Sequence, residues 1–262
     1  MLKIEQSFFL DGLLVKVFAP KVEYYIDIIK NKNLYFIKMN HAWWEFIQNE
    51  RFRESRFKKF HDKELIVEVK EIIKSIEKTD IILGVNTKEP FKNRSIKKNE
   101  ELEKIIIKSI PENYQPHFGS NWKKYVIDET IGKFFDHIKN NEVIVVGFDH
   151  LKELETTLEF PNFSFYQLFF NSSKNKKRLK VLNDLLKIVN VLGKKCVLIQ
   201  AGELFSAWLV YNLRFKTTNQ ECSFIDMGRS IDKFCPSRTY TGAIRKFVIS
   251  DFKNPAWMKK KS

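Results

Sequence analysis

Lys195-Cys196-Val197-Leu198-Ile199-Gln200-Ala201-Gly202-Glu203-Leu204 is an apolar run that stops at Ala-Gly and passes straight into a helical pattern. Ser223-Phe224-Ile225-Asp226-Met227-Gly228-Arg229 is a second apolar run, and it stops at Asp-Met-Gly. Together they read as strand, glycine turn, helix, strand, with a carboxylate at the end of the second strand. Open α/β sheets bind ligands outside the carboxyl ends of such strands. Gly202 and Asp226 therefore mark the expected edge of a site.

The same alternation runs upstream. Glu142-Val143-Ile144-Val145-Val146-Gly147 is a continuous apolar run, the pattern of a parallel strand buried on both faces. Residues 34–37, 80–85 and 163–165 read as further strands. Leu65, Val69, Ile72, Ile73 and Ile76 recur at helical spacing over 62–78, and Leu179, Leu182, Leu185, Leu186 and Val189 give an apolar face to a helix over 174–192. Residues 21–31, 42–50, 100–109, 121–140, 150–157 and 203–215 also read as helical. Strands alternating with helices imply an α/β fold: a mainly parallel, Rossmann-like sheet with helices on both faces and right-handed crossovers. Residues 1–262 read as a single domain, with the polar stretch 86–99 as the one place where it would divide.

The formal net charge is +14, from 46 Lys and Arg against 32 Asp and Glu, so the surface attracts phosphates of any kind: nucleotide, nucleic acid or anionic lipid. The clusters at Arg51-Arg53-Arg56-Lys58-Lys59, Lys92-Arg94-Lys97-Lys98, Lys174-Lys176-Lys177-Arg178-Lys180 and Lys259-Lys260-Lys261 are dispersed along the chain and read first as solvated helix faces. Three scattered cysteines do not make a disulfide framework, and Cys196 and Cys222 fall in expected strands as small core residues. No signal peptide and no apolar run long enough to span a bilayer is evident, so the expected location is cytoplasmic, with the Lys259-Lys260-Lys261 tail suited to a peripheral contact with an anionic membrane.

The sequence has no G-x-G-x-x-G, no G-x-x-x-x-G-K-[ST], no C-x-x-C, no H-E-x-x-H and no G-x-S-x-G. Dinucleotide oxidoreductases, P-loop enzymes, zinc sites and nucleophile-elbow hydrolases are thereby disfavoured. What remains is a set of glycines at strand ends: Gly84, Gly147 and Gly202. Glycine lets the chain turn sharply and a ligand approach the backbone, and the helix that follows, opened at Glu203 in one case, offers free N–H groups to a phosphate. His41-Ala42-Trp43-Trp44-Glu45 follows a strand. His41 and Glu45 suit acid–base work or a metal, and the Trp rings suit stacking; core filling by Trp43 or Trp44 is the alternative. Lys38 suits a phosphate or a solvated strand end. Asp149 reads as a helix N-cap or a ligand contact. Asp226, with Gly228 in a tight turn behind it, suits a sugar or ribose hydroxyl or a turn-stabilising role.

These residues resemble the glycosyltransferases of the GT-D fold. In that family a strand ending in a glycine turn leads into a helix and a later strand ends in Asp-x-Gly, as in Gln200-Ala201-Gly202 and Asp226-Met227-Gly228. Val146-Gly147 matches an upstream strand end and Trp122 an intervening helix start. The family's Arg-Phe-Gly-Asp-Gly-Glu segment falls at Lys38-Met39-Asn40-His41-Ala42-Trp43-Trp44-Glu45, with Lys38 at the Arg position, His41 at the Asp position, and Glu45 standing for the Glu after a two-residue shift. The resemblance spans about residues 20–235 and is specific in its last third.

The resemblance implies transfer of a sugar from a nucleoside-diphosphate donor to an acceptor hydroxyl of a glycan, a protein, a lipid-linked molecule or a nucleic acid. Lys38, Gly84, Gly147, Asp149, Gly202, Glu203, Asp226 and Gly228 are the expected nucleotide- and sugar-binding positions, and His41 and Glu45 the catalytic ones. Glu45 would also help to hold a divalent cation, Mn or Mg. Two other classes stay open: a nucleic-acid-binding protein or DNA-modifying sugar transferase, and a non-catalytic scaffold.

Overall fold

The computed structural model describes residues 5–10, 13–39, 63–85, 109–119, 121–169 and 171–237. Its strands are β1 (Glu5–Leu10), β2 (Leu13–Phe18), β3 (Tyr35–Met39), β4 (Ile82–Val85), β5 (His117–Phe118), β6 (Glu142–Gly147), β7 (Phe163–Gln167), β8 (Lys195–Ile199) and β9 (Cys222–Asp226). Its α-helices are α1 (Val22–Asn31), α2 (Lys63–Lys74), α3 (Asn121–Ile127), α4 (Ile131–Ile138), α5 (Leu154–Leu158), α6 (Asn175–Val189) and α7 (Glu203–Lys216). Three 3-10 helices, Ile76–Lys78, Asp149–Glu153 and Gly228–Phe234, complete the described elements.

The strands form one sheet in the order β1-β2-β5-β4-β3-β9-β8-β6-β7. The block β4-β3-β9-β8-β6-β7 is parallel throughout, β5 and β2 extend it through short parallel bridges, and β1 closes that edge as the antiparallel arm of a hairpin. The α/β reading of the sequence is thus realised, with helices on both faces.

Strand order explains which helix covers which face. Chain moves from β3 to β4, β7 to β8 and β8 to β9 run one way along the sheet, and their helices α2, α6 and α7 share one core with Leu65, Val69, Leu182, Leu185, Leu204 and Trp208. Moves from β2 to β3, β5 to β6 and β6 to β7 run the other way, and α1, α3, α4 and α5 share the opposite core with Tyr25, Ile29, Trp122, Phe134 and Leu154. Crossovers of one hand require this segregation. Central strands are buried on both sides, which is why β6, β8 and β9 read as unbroken apolar runs.

Three local readings change. The single helix expected over 121–140 is two, broken where Glu129 takes φ 57°. Continuing the α3 stripe of Trp122, Tyr125 and Val126 would bring Glu129 and Lys133 inward, whereas a two-residue reset brings Ile131, Phe134, Phe135 and Ile138 onto the sheet. On α6, Leu179 is exposed and Arg178 is buried in its stead. Arg178 Nη2 donates to Glu68 Oε1 at 2.5 Å and its guanidinium lies 5.2 Å from the Trp208 ring, so a core-facing position is filled by a paired cation. The 3-10 helix Asp149–Glu153 has Phe148 at its cap position and no side-chain cap, so Asp149 is not the N-cap.

The amino ends of the strands are tied by amides. Buried Asn219 donates from Nδ2 to the carbonyls of Val189, Val191 and Gly193 at 2.9–3.0 Å and accepts from the Glu221 N–H at 3.0 Å. Asn33 Nδ2 donates to the Gln220 carbonyl, and the Leu34 N–H donates to Ser223 Oγ at 3.0 Å.

Candidate functional site

β3 and β9 lie side by side, so Lys38 near the end of one and Asp226 at the end of the other meet. The Lys38 backbone N–H donates to Asp226 Oδ2 at 3.2 Å, and the Gly228 N–H donates to Oδ1 at 2.9 Å. Gly228 turns at φ +51°, and a Cβ there would stand 3.0 Å from Lys38 Cδ and 3.2 Å from Nζ. The glycine serves two ends: it permits the left-handed turn that returns an N–H to Asp226, and it leaves room for the lysine side chain.

Asp226 is 2% exposed. Burial pushes its carboxyl up to about 7, against the Gly228 N–H and the Lys38 charge, which hold it down; the charge of Glu203 adds to the rise. Glu203, the first residue of α7, therefore belongs to the same electrostatic neighbourhood, and it sets a carboxylate at the positive end of that helix. Gly202 caps α7 at φ +82°, and the space where a Cβ would stand is open. Four positions picked from the sequence, Lys38, Glu203, Asp226 and Gly228, are thus brought together, with Gly202 at the adjoining turn. A carboxyl titrating near neutrality beside an ammonium can accept or donate a hydrogen bond to a hydroxyl.

The other glycines do different work. Gly84 pairs with Lys38 across β3 and β4, but its missing side chain makes room for Phe36, whose Cζ would lie 2.5 Å from a Cβ. At Gly147 a Cβ would meet Leu151 Cδ1 at 2.2 Å. Both are close-packing positions. His41 and Glu45 lie outside the described residues.

A second constellation went unread in the sequence. Asp232, in the 3-10 helix after Gly228, is fully buried. Its Oδ1 lies 2.9 Å from His150 Nε2 and also accepts from Gln200 Nε2, while Oδ2 accepts from Arg229 Nε at 3.1 Å. His150 follows β6 and lines a cleft of about 940 Å³ at the carboxyl ends of β6 and β7. Asp149, Tyr166, Phe169, Lys177 and Lys180 line the same cleft. The signal was faint: Asp149-His150 after Val146-Gly147 was visible, but its partner lies 82 residues away.

Among the described residues no group of three or more His, Cys, Asp or Glu side chains could hold a metal ion. Each Asp226 oxygen accepts one backbone N–H and keeps a second acceptor position. A divalent cation would depend on Glu45. No helix among the described residues is long and apolar enough to cross a membrane. No family model, curated protein or solved structure matches the chain.

Proposed function

We propose that this protein is a nucleotide-sugar-dependent glycosyltransferase, acting in the cytoplasm. The observation that carries the reading is the convergence of Lys38, Asp226 and Gly228 at the carboxyl edge of a parallel sheet, where α/β proteins bind nucleotides. Lys38 meets the diphosphate and neutralises charge on it as it leaves, the largest electrostatic demand of such a transfer. Asp226 binds a ribose or sugar hydroxyl, and the open turn at Gly202 gives the donor access to the backbone. The net charge of +14 draws in a polyanionic donor.

Thermal stabilisation by UDP, GDP and their sugars, with and without manganese, tests the reading. One nucleotide is expected to raise the melting temperature of the wild type, and Lys38→Ala to weaken its binding by tenfold or more, the scale of one charge-assisted hydrogen bond. No shift with any nucleotide, together with DNA binding that falls steeply with salt, would replace sugar transfer by nucleic-acid binding.

A further inference from the structure

The cleft beside β6 and β7 holds a histidine, two lysines and exposed aromatic surface, none of which the Lys38–Asp226 edge employs. His150 is the informative member. Its side chain is 12% exposed, and its Nε2 is engaged by a carboxylate that is itself fully buried. Asp232 is fixed from two further directions, by Gln200 and by Arg229, so it has little freedom to leave the ring. An acceptor on Nε2 places the neutral ring's proton there and leaves the lone pair on Nδ1. An imidazole with its tautomer set by a buried carboxylate, at the wall of a cleft, is the arrangement of a general base. The rest of the lining indicates what it would act on. Lys177 and Lys180 stand three residues apart on α6, close enough to share one phosphate, and Phe169, 63% exposed, adds apolar aromatic surface of the kind on which sugar C–H groups pack. The 3-10 helix Gly228–Phe234 joins the two places: Gly228 holds Asp226 at one end, and Asp232 holds His150 nearer the other.

We propose that this cleft is the acceptor site, that it takes a phosphorylated sugar, and that His150 is its catalytic base. The inference rests on the sugar-transfer reading for its second substrate. The acceptor hydroxyl oxygen bonds to the anomeric carbon of the donor, and its proton passes to His150 Nδ1. The bond from that carbon to the diphosphate oxygen breaks, and its electron pair leaves with the diphosphate. Asp232 is a positioning residue, acting through His150.

Two measurements on the full chain decide it. In protein labelled with [13Cε1]histidine, glucose 6-phosphate at millimolar concentration is expected to move the His150 resonance, identified by its loss in His150→Gln. The exposed double variant Lys177→Ala/Lys180→Ala should require at least tenfold more, and glucose without phosphate should move the resonance far less. This readout needs no donor, so it stands even if no nucleotide sugar is used. An unmoved resonance overturns the acceptor site. The second measurement is nucleoside diphosphate release from the UDP- or GDP-sugar that stabilises the wild type. His150→Gln should slow transfer to glucose 6-phosphate by a hundredfold or more. Transfer to azide, which has no proton to lose, should proceed at the wild-type rate. Equal loss with both nucleophiles, or retention of hydroxyl transfer within threefold, overturns the base. Asp232→Asn should follow His150→Gln in this split; loss of both reactions together would mark Asp232 as merely structural. If the wild type turns over no nucleotide sugar, the transfer reading and the base assignment both fall, and the histidine titration alone judges the phosphate cleft.

Discussion

Replacing Asp226 with asparagine should change the sign of its effect on stability as pH rises. In the folded protein the carboxyl titrates at about 7, against an ordinary value of 3.8. The stability tied to this group is complete below 3.8, where both states hold the proton, and is lost as pH rises through about 7. Carried over that interval, the loss is about 4 kcal/mol, at 1.36 kcal/mol for each unit. Asparagine has no proton to lose, so it escapes this penalty. It retains one acceptor oxygen where aspartate has two, so either the Gly228 or the Lys38 N–H loses its partner, a constant cost of about 1–3 kcal/mol. Asp226→Asn should therefore be less stable than the wild type at pH 4 and more stable, by roughly 1–3 kcal/mol, at pH 8.5. Urea unfolding across this range measures it: the midpoint difference between the two proteins should change sign near the middle of the interval. Any titration shared by both proteins cancels in that difference. A difference that stays flat with pH would show that Asp226 is not held as a buried, near-neutral carboxyl, and would remove the chemical reason for placing a hydroxyl against it.

His117 should act in the opposite sense. Tyr25 Oη lies 2.9 Å from its Nδ1, and burial pushes the ring down to about 4 from an ordinary 6.5. The fold should lose about 3 kcal/mol as pH falls through that window. His117→Gln, though weaker at pH 7, should lose visibly less on acidification, and an unchanged slope in urea titrations would count against the assignment. Gly84→Ala should cost about 1–3 kcal/mol through Phe36 and the Gly119 Cα, whereas Gly202→Ala should cost about 1–3 kcal/mol through backbone strain with no clash, since φ +82° with ψ 155° is almost confined to glycine. Thermal unfolding with Phe36→Leu as a second change separates them, since the smaller side chain should relieve the Phe36 share of the Gly84 cost and none of the Gly202 cost.

The parts of the fold that were legible in the sequence are those where one rule governs every residue. β6, β8 and β9 are buried on both faces, so their composition alone betrays them, and β9 ends in the carboxylate and glycine that mark the expected edge of a site. β5 contributes only His117 and Phe118, too few to carry a period, and the hairpin of β1 and β2 lies ahead of the first element expected from the sequence, the helix over 21–31. Arg178 misled the face of α6 because its inward side is satisfied by Glu68 and Trp208, partners 110 and 30 residues distant. The link between His150 and Asp232 was illegible for a similar reason: no local pattern records a hydrogen bond that exists only once two strands, their exits and a 3-10 helix have assembled.

The amide clasps around Asn219 bind the approaches to β8 and β9 to the end of α6. The clasps themselves are neutral bonds that respond little to acid or salt, and the ion pairs Lys195–Glu142 and Arg214–Asp80 stand at the same end of the sheet. The opposite end gathers Lys38, Asp226, His150 and Asp232. Loops at the carboxyl end can be regrafted without disturbing these clasps, provided the asparagine is kept.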